Sequence, residues 1–385
     1  MNETANSKLR SNQSLTRVLS LLSKRDWLVV AWTLAIKALL FVFAVKSYQV
    51  LEDKRVVGGR GWLELWNRWD ALHYQKLAQF GYSATGEMRP SMVFYPLFPW
   101  LMRFLTTLTG DYLVSALLIS GVASVAAAIL LRRLVRLDYP SIIAQRAVWF
   151  LLIFPTAYFL HIGYTESLFL TLALGCILAA RKELWWLAGL LGALSCMTRA
   201  TGLVLVPTLC VEAAHQFWIT KRWRWQWLWL LIVPLGFGVY LLVNLHAAGD
   251  AFAFLPIRKE FFYISLSWPW VGVSEAIGAL GRTPAQAEMV GAQELFFITL
   301  GFICTIASWI KLRPLYATWM TFNWLLFTSV TFVASVPRYT LTLFPLFILF
   351  AMLAASRFWN AVITVWSLLF LALFSTLFAW GRWAF

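Results

Sequence analysis

Long apolar runs separated by short polar turns fill this chain from Trp27 almost to its end. They lie near 27–46, 112–131, 146–162, 165–180, 184–198, 200–214, 226–246, 290–310, 315–334, 338–354 and 359–380. A helix needs roughly 20 apolar residues to cross a bilayer, so the pattern predicts an all-α polytopic membrane protein of about eleven transmembrane helices. Residues 27–385 read as one transmembrane domain, and residues 1–26 as a basic amphipathic tail. Within the tail, Leu15, Val18, Leu19, Leu21 and Leu22 are interleaved with Arg17, Lys24 and Arg25, the pattern of a short helix lying on a membrane surface. The first run has no small-residue cleavage site after it, so the tail is not read as a removable signal peptide.

Basic residues divide the turns into two classes. One set carries Arg132, Arg133, Arg136 and Arg146, then Arg181 and Lys182, then Lys221, Arg222 and Arg224, then Lys311 and Arg313, then Arg357. The short turns of the other set carry mainly Arg199, Arg338 and Arg382. The positive-inside rule assigns the first set to the cytoplasm, together with the N-terminus. Two outer segments are long enough to be more than connectors, about 47–111 and about 247–289. In the first, Trp62, Leu65, Trp66, Trp69, Leu72 and His73 recur at helical spacing, which predicts an interfacial amphipathic helix. The two prolines of Phe94-Tyr95-Pro96-Leu97-Phe98-Pro99-Trp100 then impose a kinked or re-entrant approach to the second span.

Composition sharpens this picture. With 61% hydrophobic and 13% charged residues and a mean hydropathy of +0.72, the chain lies outside the soluble globular range. Its net charge of +15 is spread between apolar runs, so it reflects topology in an anionic membrane rather than nucleic-acid binding. The four cysteines, Cys176, Cys196, Cys210 and Cys304, all lie inside apolar runs without paired spacing, which indicates neither a disulfide framework nor a zinc site. Phosphate-binding Walker loops, dinucleotide fingerprints, His-Glu-x-x-His and Gly-x-Ser-x-Gly elbows are all absent from the sequence. A nucleotide-driven pump is therefore disfavoured.

A few polar residues are left over once topology is accounted for. Asp70 and His73 share a helical face in the first outer segment. Glu166 stands in the outer turn Tyr164-Thr165-Glu166-Ser167, with His161 one turn below it on the third span. Arg199 opens Arg199-Ala200-Thr201-Gly202, and Arg338 stands in Val336-Pro337-Arg338-Tyr339. All belong to one leaflet, where ionisable groups pair with each other or with substrate. Blander roles stand beside this one. Glu166 is placed to tie two hairpins together through Arg199, Arg338 to snorkel to lipid phosphate, both histidines to be hydrogen-bonded polar residues, and Trp62, Trp66 and Trp69 to anchor in the interfacial belt. Lys37, within the first span, is read as snorkelling or paired.

The order of motifs then becomes informative. Trp69-Asp70 with His73-Tyr74, Phe94-Tyr95-Pro96-Leu97-Phe98-Pro99, Phe154-Pro155 with Tyr164-Thr165-Glu166-Ser167-Leu168-Phe169, and Arg199-Ala200-Thr201-Gly202 resemble the PIG-V-type mannosyltransferases, polytopic GT-C glycosyltransferases related to GPI mannosyltransferase 2. The likeness covers about residues 66–202; beyond it the chain matches in hydropathy and at Pro337-Arg338-Tyr339. It implies a GT-C-like fold and transfer of a hexose, typically mannose, from a polyprenyl-phosphate donor to a hydroxyl on a glycolipid, glycan or protein acceptor. It implies neither a nucleotide sugar nor a metal or other cofactor, and it puts Asp70 at the reacting centre.

Displacement at the anomeric carbon then needs a base, Asp70, and cations for the departing phosphate, Arg199 or Arg338, and it inverts the centre. The substrate-binding set read alongside is Arg68, Trp69, His73, Tyr95, His161, Tyr164, Glu166, Arg199 and Arg338. Short outer turns without an Asn-x-Ser/Thr sequon point to a bacterial inner-membrane homologue with a periplasmic site, or to the endoplasmic reticulum if the chain is eukaryotic. The competing function is a flippase for a lipid-linked saccharide, which requires polar groups at mid-membrane depth.

Overall fold

The computed structural model describes residues 23–53, 55–281 and 291–383. The expected surface helix of the tail lies outside them. Among the described residues all regular structure is helical, apart from an isolated bridge between Leu266 and Val330. Six segments are long and apolar enough to cross a membrane: Lys24–Glu52, Tyr112–Val135, Ala200–Thr220, Trp225–Ala248, Ala292–Lys311 and Arg357–Ala379. The other apolar runs hold shorter helices, Ser141–Ile153, Glu166–Arg181, Trp185–Cys196, Pro314–Thr328 and Pro345–Leu353. The molecule is a polytopic, all-helical membrane protein.

Local chemistry sets the helix ends. Helix α1 (Lys24–Glu52) opens with a reciprocal capping box: the Asp26 amide donates to Ser23 Oγ at 3.2 Å, and the Ser23 amide donates to Asp26 Oδ2 at 2.9 Å. The first outer segment holds α2 (Gly58–Glu64), α3 (Asp70–Phe80), a 3-10 segment over Gly86–Val93 and α4 (Leu97–Thr109). Helix α5 (Tyr112–Val135) starts where Asp111 Oδ1 accepts from the Val114 amide at 3.0 Å. Helix α6 (Ser141–Ile153) stops because Phe154 precedes a proline and is pushed to extended backbone, with ψ 147°.

That stop corrects the expected third span. Residues 157–160 form a 3-10 turn with His161 as its cap, so His161 and Glu166 do not share a helix. The chain re-enters as α7 (Glu166–Arg181), followed by α8 (Trp185–Cys196), a 3-10 turn over Ala200–Val204, α9 (Leu205–Thr220) and α10 (Leu235–Ala248). Helices α8 and α10 pack backbone to backbone. A Cβ on Gly236 would come within 1.8 Å of the Ala193 carbonyl oxygen. The second outer segment carries α11 (Phe254–Phe262) and α12 (Pro269–Ala279); the chain continues with α13 (Ala292–Lys311), α14 (Pro314–Thr328), α15 (Val336–Thr340), α16 (Pro345–Leu353) and α17 (Arg357–Ala379).

The continuous interfacial helix expected over 62–73 is instead two helices with a break between them. At the break Trp69 has φ 53° and ψ −121°, the conformation of the first central residue of a type II′ turn, which normally belongs to glycine. Two contacts hold the break in place. Trp66 is fully buried, packed on Phe41, Tyr158 and Phe378, so it is a core residue rather than a belt anchor. The Tyr164 hydroxyl donates to the Arg68 carbonyl at 2.9 Å. Pro96 and Pro99 fall at the cap and in the first turn of α4, where a missing amide donor costs little, so they start that helix rather than interrupt it.

Charged side chains gather at two ends of the bundle. At the end assigned to the cytoplasm, Arg132 reaches Asp26 Oδ1 at 2.5 Å, Arg181 pairs with Asp138 through two bonds of 2.7 and 2.8 Å, and Arg313 grips the buried Glu212 at 2.9 and 3.0 Å. The opposite end contains the candidate site.

Candidate active site

Four elements that are far apart in sequence bring two carboxylates and two guanidiniums into one chain of contacts. Asp70 is the first residue of α3, presented by the turn at Trp69. Its Oδ2 accepts from Arg338 Nη1 at 2.5 Å. Arg338 Nε donates to Glu166 Oε1, and the same oxygen accepts from Arg199 Nη1. Arg199 Nη1 also donates to Thr165 Oγ1 at 3.2 Å. Burial is graded along the chain: the Glu166 side chain is 0% exposed, Arg338 5%, Arg199 13% and Asp70 24%. Asp70 therefore meets solvent while Glu166 lies beneath it as a shared counter-ion. Buried charges at this depth require such pairing.

Aromatic rings flank the arginines. Arg338 lies over Tyr164 and Phe159 at 4.6 and 5.0 Å from their centroids, and Arg199 lies over Tyr339 at 5.3 Å. Thr156 Oγ1 donates to the Pro337 carbonyl at 3.0 Å and fixes the turn that carries Arg338. The Tyr74 hydroxyl lies 3.4 Å from Thr165 Oγ1, linking α3 to the start of α7.

Above this cluster opens a cavity of about 480 Å³. Its polar lining comes from Asp70, Thr165, Thr198, Arg199, Thr201, Ser335 and Arg338. Its apolar lining comes from Phe254 and Phe262 of α11, with Ile264, Leu326, Phe327, Val330 and Phe332. Tyr95 also lines it, stacked on Tyr240 at 4.0 Å, and Arg258 enters from α11. Among the described residues no cluster of three or more histidine, cysteine or carboxylate side chains is arranged to hold a metal ion.

The expected site residues divide. Asp70, Tyr95, Arg199 and Arg338 line the cavity, and Glu166 supports them from below. The remaining five stand outside the lining. Arg68 donates to the Ala379 carbonyl at 3.2 Å, and Trp69 packs edge-on against Trp383. Tyr164 is buried as a brace. His73 Nδ1 lies 2.9 Å from Ser91 Oγ, with its ring stacked on Phe94. Burial pulls its imidazole below the ordinary 6.5, against the opposing field of Asp70. His161 is fully buried, and neither ring nitrogen has a partner among the described residues. Lys37 donates to the Leu117 carbonyl at 3.3 Å.

The sequence reading met Tyr74 and Tyr339 only as members of motifs, without a place in the site, and did not single out Phe254 or Phe262. Each is an apolar or aromatic residue in an aromatic-rich stretch, and only the fold distinguishes it from its neighbours. Arg258 enters the cavity from the second outer segment, whose individual residues the sequence left without a role.

A helical membrane protein with a polar cavity at one end, carrying an acid on an interfacial helix, is the class that fold and site define. Comparison with known proteins makes it specific. Residues 15–254, more than half of the chain, match the family model "Mannosyltransferase (PIG-V)", and the chain belongs to that family. The GPI alpha-1,6-mannosyltransferase 2 of Rattus norvegicus is 34% identical over 163 residues, 39% of this chain and 32% of the rat protein. Its counterpart from Cricetulus griseus is 34% identical over 178 residues, 43% and 34% of the respective chains. The chain thus spans about a third of the length of these curated relatives. Among solved structures, the archaeal oligosaccharyltransferase AglB from Archaeoglobus fulgidus aligns with a TM-score of 0.46 at 12% identity, covering 90% of this chain and 56% of that one.

Proposed function

We propose that the protein is a GT-C-type membrane mannosyltransferase that moves mannose from a polyprenyl-phosphate carrier to a hydroxyl acceptor at the outer face. The observation that carries this reading is Asp70. It is a carboxylate on the cavity wall, aimed by a turn that glycine would normally occupy and held through one oxygen by Arg338. Its other oxygen, Oδ1, has no hydrogen bond among the described residues. A backbone conformation this unfavourable for tryptophan, costing on the order of 1–3 kcal/mol, persists where it positions a working group.

In the proposed reaction Asp70 takes the proton of the acceptor hydroxyl. The hydroxyl oxygen bonds to the anomeric carbon as the bond from that carbon to the phosphate oxygen breaks. Polyprenyl phosphate leaves with the electron pair, and the centre inverts. Glu166 acts through Arg199 and Arg338 and keeps both guanidiniums at the cavity floor. Fixed charges in a water-poor site are worth far more to the transition state than they would be in bulk water. The aromatic wall of α11 and residues 326–332 suits the first isoprene units. No step calls for a metal or other cofactor. We place the protein in a bacterial inner membrane with its cavity facing the periplasm.

Purified full-length protein in nanodiscs, given radiolabelled short-chain polyprenyl-phosphate mannose and a membrane lipid extract, tests the reading. The expected result is a labelled covalent product and release of one polyprenyl phosphate per transfer. Folded protein that transfers no hexose from any such donor, but moves the intact donor between vesicle leaflets, would establish the flippase instead. The collection of ion pairs at the two ends of the bundle, rather than along a path between them, weighs against that alternative.

A further inference from the structure

Resting on that reading, we infer that Arg258 is the residue that holds the phosphate of the lipid-linked donor. The cavity and its floor contain two carboxylates, Asp70 and Glu166, and three guanidiniums, Arg199, Arg338 and Arg258. Arg338 is bonded to both carboxylates and Arg199 to one, so these four charges offset one another. Arg258 has no carboxylate within ion-pair distance among the described residues. It supplies the unbalanced positive charge that an anionic ligand needs.

Its position in the fold agrees. Arg258 belongs to α11, the element that gives Phe254 and Phe262 to the apolar wall, whereas Asp70, Arg199 and Arg338 come from the polar turns. In a polyprenyl-phosphate sugar the phosphate joins the lipid to the anomeric carbon. The cation that meets it must therefore stand where the apolar lining gives way to the acid, and Arg258 is the cationic residue that the apolar element contributes to the cavity.

The helix that presents it is held firmly. Ile257 is buried. Glu260 is not part of the cavity lining and accepts two bonds from Arg89 at 2.8 and 2.7 Å, while Phe262 packs on Phe94 with ring centroids 6.0 Å apart. The neighbouring acid, Glu260, is thus taken up by another partner, and Arg258 is left to the cavity. A guanidinium fork matches phosphate oxygens in two places at once.

The test compares equilibrium binding of a short-chain polyprenyl phosphate with that of the matching uncharged polyprenol. It uses the full-length protein and its Arg258→Gln, Arg258→Lys, Arg199→Gln and Arg338→Gln variants, alongside donor KM and kcat. Thermal unfolding checks that each variant folds. Loss of a charge-assisted contact predicts that Arg258→Gln lowers the preference for phosphate over alcohol by roughly 10- to 100-fold, with donor kcat/KM falling in parallel and partial rescue by Arg258→Lys.

An unchanged preference in Arg258→Gln would overturn the assignment while leaving the transferase intact, most plainly if Arg199→Gln abolished the preference instead. Equal competition from phosphatidylglycerol added to the nanodiscs would also overturn it, marking Arg258 as a general headgroup contact. If the wild-type protein transferred no sugar yet still selected lipid phosphate through Arg258, the site would stand and the transferase reading would fall.

Discussion

The charged groups in and beneath the cavity were unevenly legible in the sequence. Asp70, Glu166, Arg199 and Arg338 stood out because lone charges in short outer turns have few uses other than meeting one another. Their wiring was not legible: that one oxygen of Glu166 serves both arginines depends on how four turns pack. His73 looked equally promising, at helical spacing from Asp70, yet its ring points to Ser91 and Phe94 rather than into the cavity. This residue sets a pH dependence. Burial depresses the imidazole below its ordinary 6.5. As pH falls through 6.5 the unfolded chain takes up a proton more readily than folded His73, so the contribution to stability present above that pH is lost progressively below it. The thermal midpoint of the wild-type protein is expected to fall more steeply from pH 7 to pH 5 than that of His73→Gln; parallel curves would contradict this account of His73.

Every apolar run contains a helix, because hydrophobic length is the strongest signal a membrane chain carries. Two features escaped that signal. The stop of α6 at Phe154 was written in Pro155, but the apolar run continues past it and suggested a longer span. The break between α2 and α3 had no marker, since neither glycine nor proline interrupts residues 62–73. It is imposed by tertiary contacts, the burial of Trp66 and the bond from Tyr164 to the Arg68 carbonyl.

The end of the bundle away from the cavity gives a test of element packing. Glu212 of α9, 1% exposed, accepts from Arg313 at 2.9 and 3.0 Å and lies 3.8 Å from Arg181 of α7. Arg313→Ala leaves a buried carboxylate short of its main partner, and a loss of about 3 kcal/mol is expected. A clear drop in melting temperature with donor KM unchanged within twofold would fit a purely structural role for that cluster. A large shift in KM would show that the two ends of the bundle are coupled.

In the whole molecule, charge is divided between two ends with apolar packing between them, as the proposed one-sided transferase requires. The pairs at the end away from the cavity tie helices together, and the opposite end arranges an acid above a neutralised pair of arginines, next to an aromatic wall. Family membership was legible from four motifs in order between residues 66 and 202, inside the region the family model matches. The second outer segment was the least legible part. Its function depends on which face of α11 meets the cavity, and short aromatic helices do not disclose that through periodicity.

The most direct test of the account is single-turnover transfer by Asp70→Asn. Asparagine keeps the size of the side chain and an oxygen for Arg338 Nη1, but removes the basicity. Transfer is expected to fall by roughly 100-fold or more, the contribution of a positioned general base, while melting temperature and binding of polyprenyl phosphate stay near wild type. Near-full transfer by that variant would contradict the assignment of Asp70 as the base.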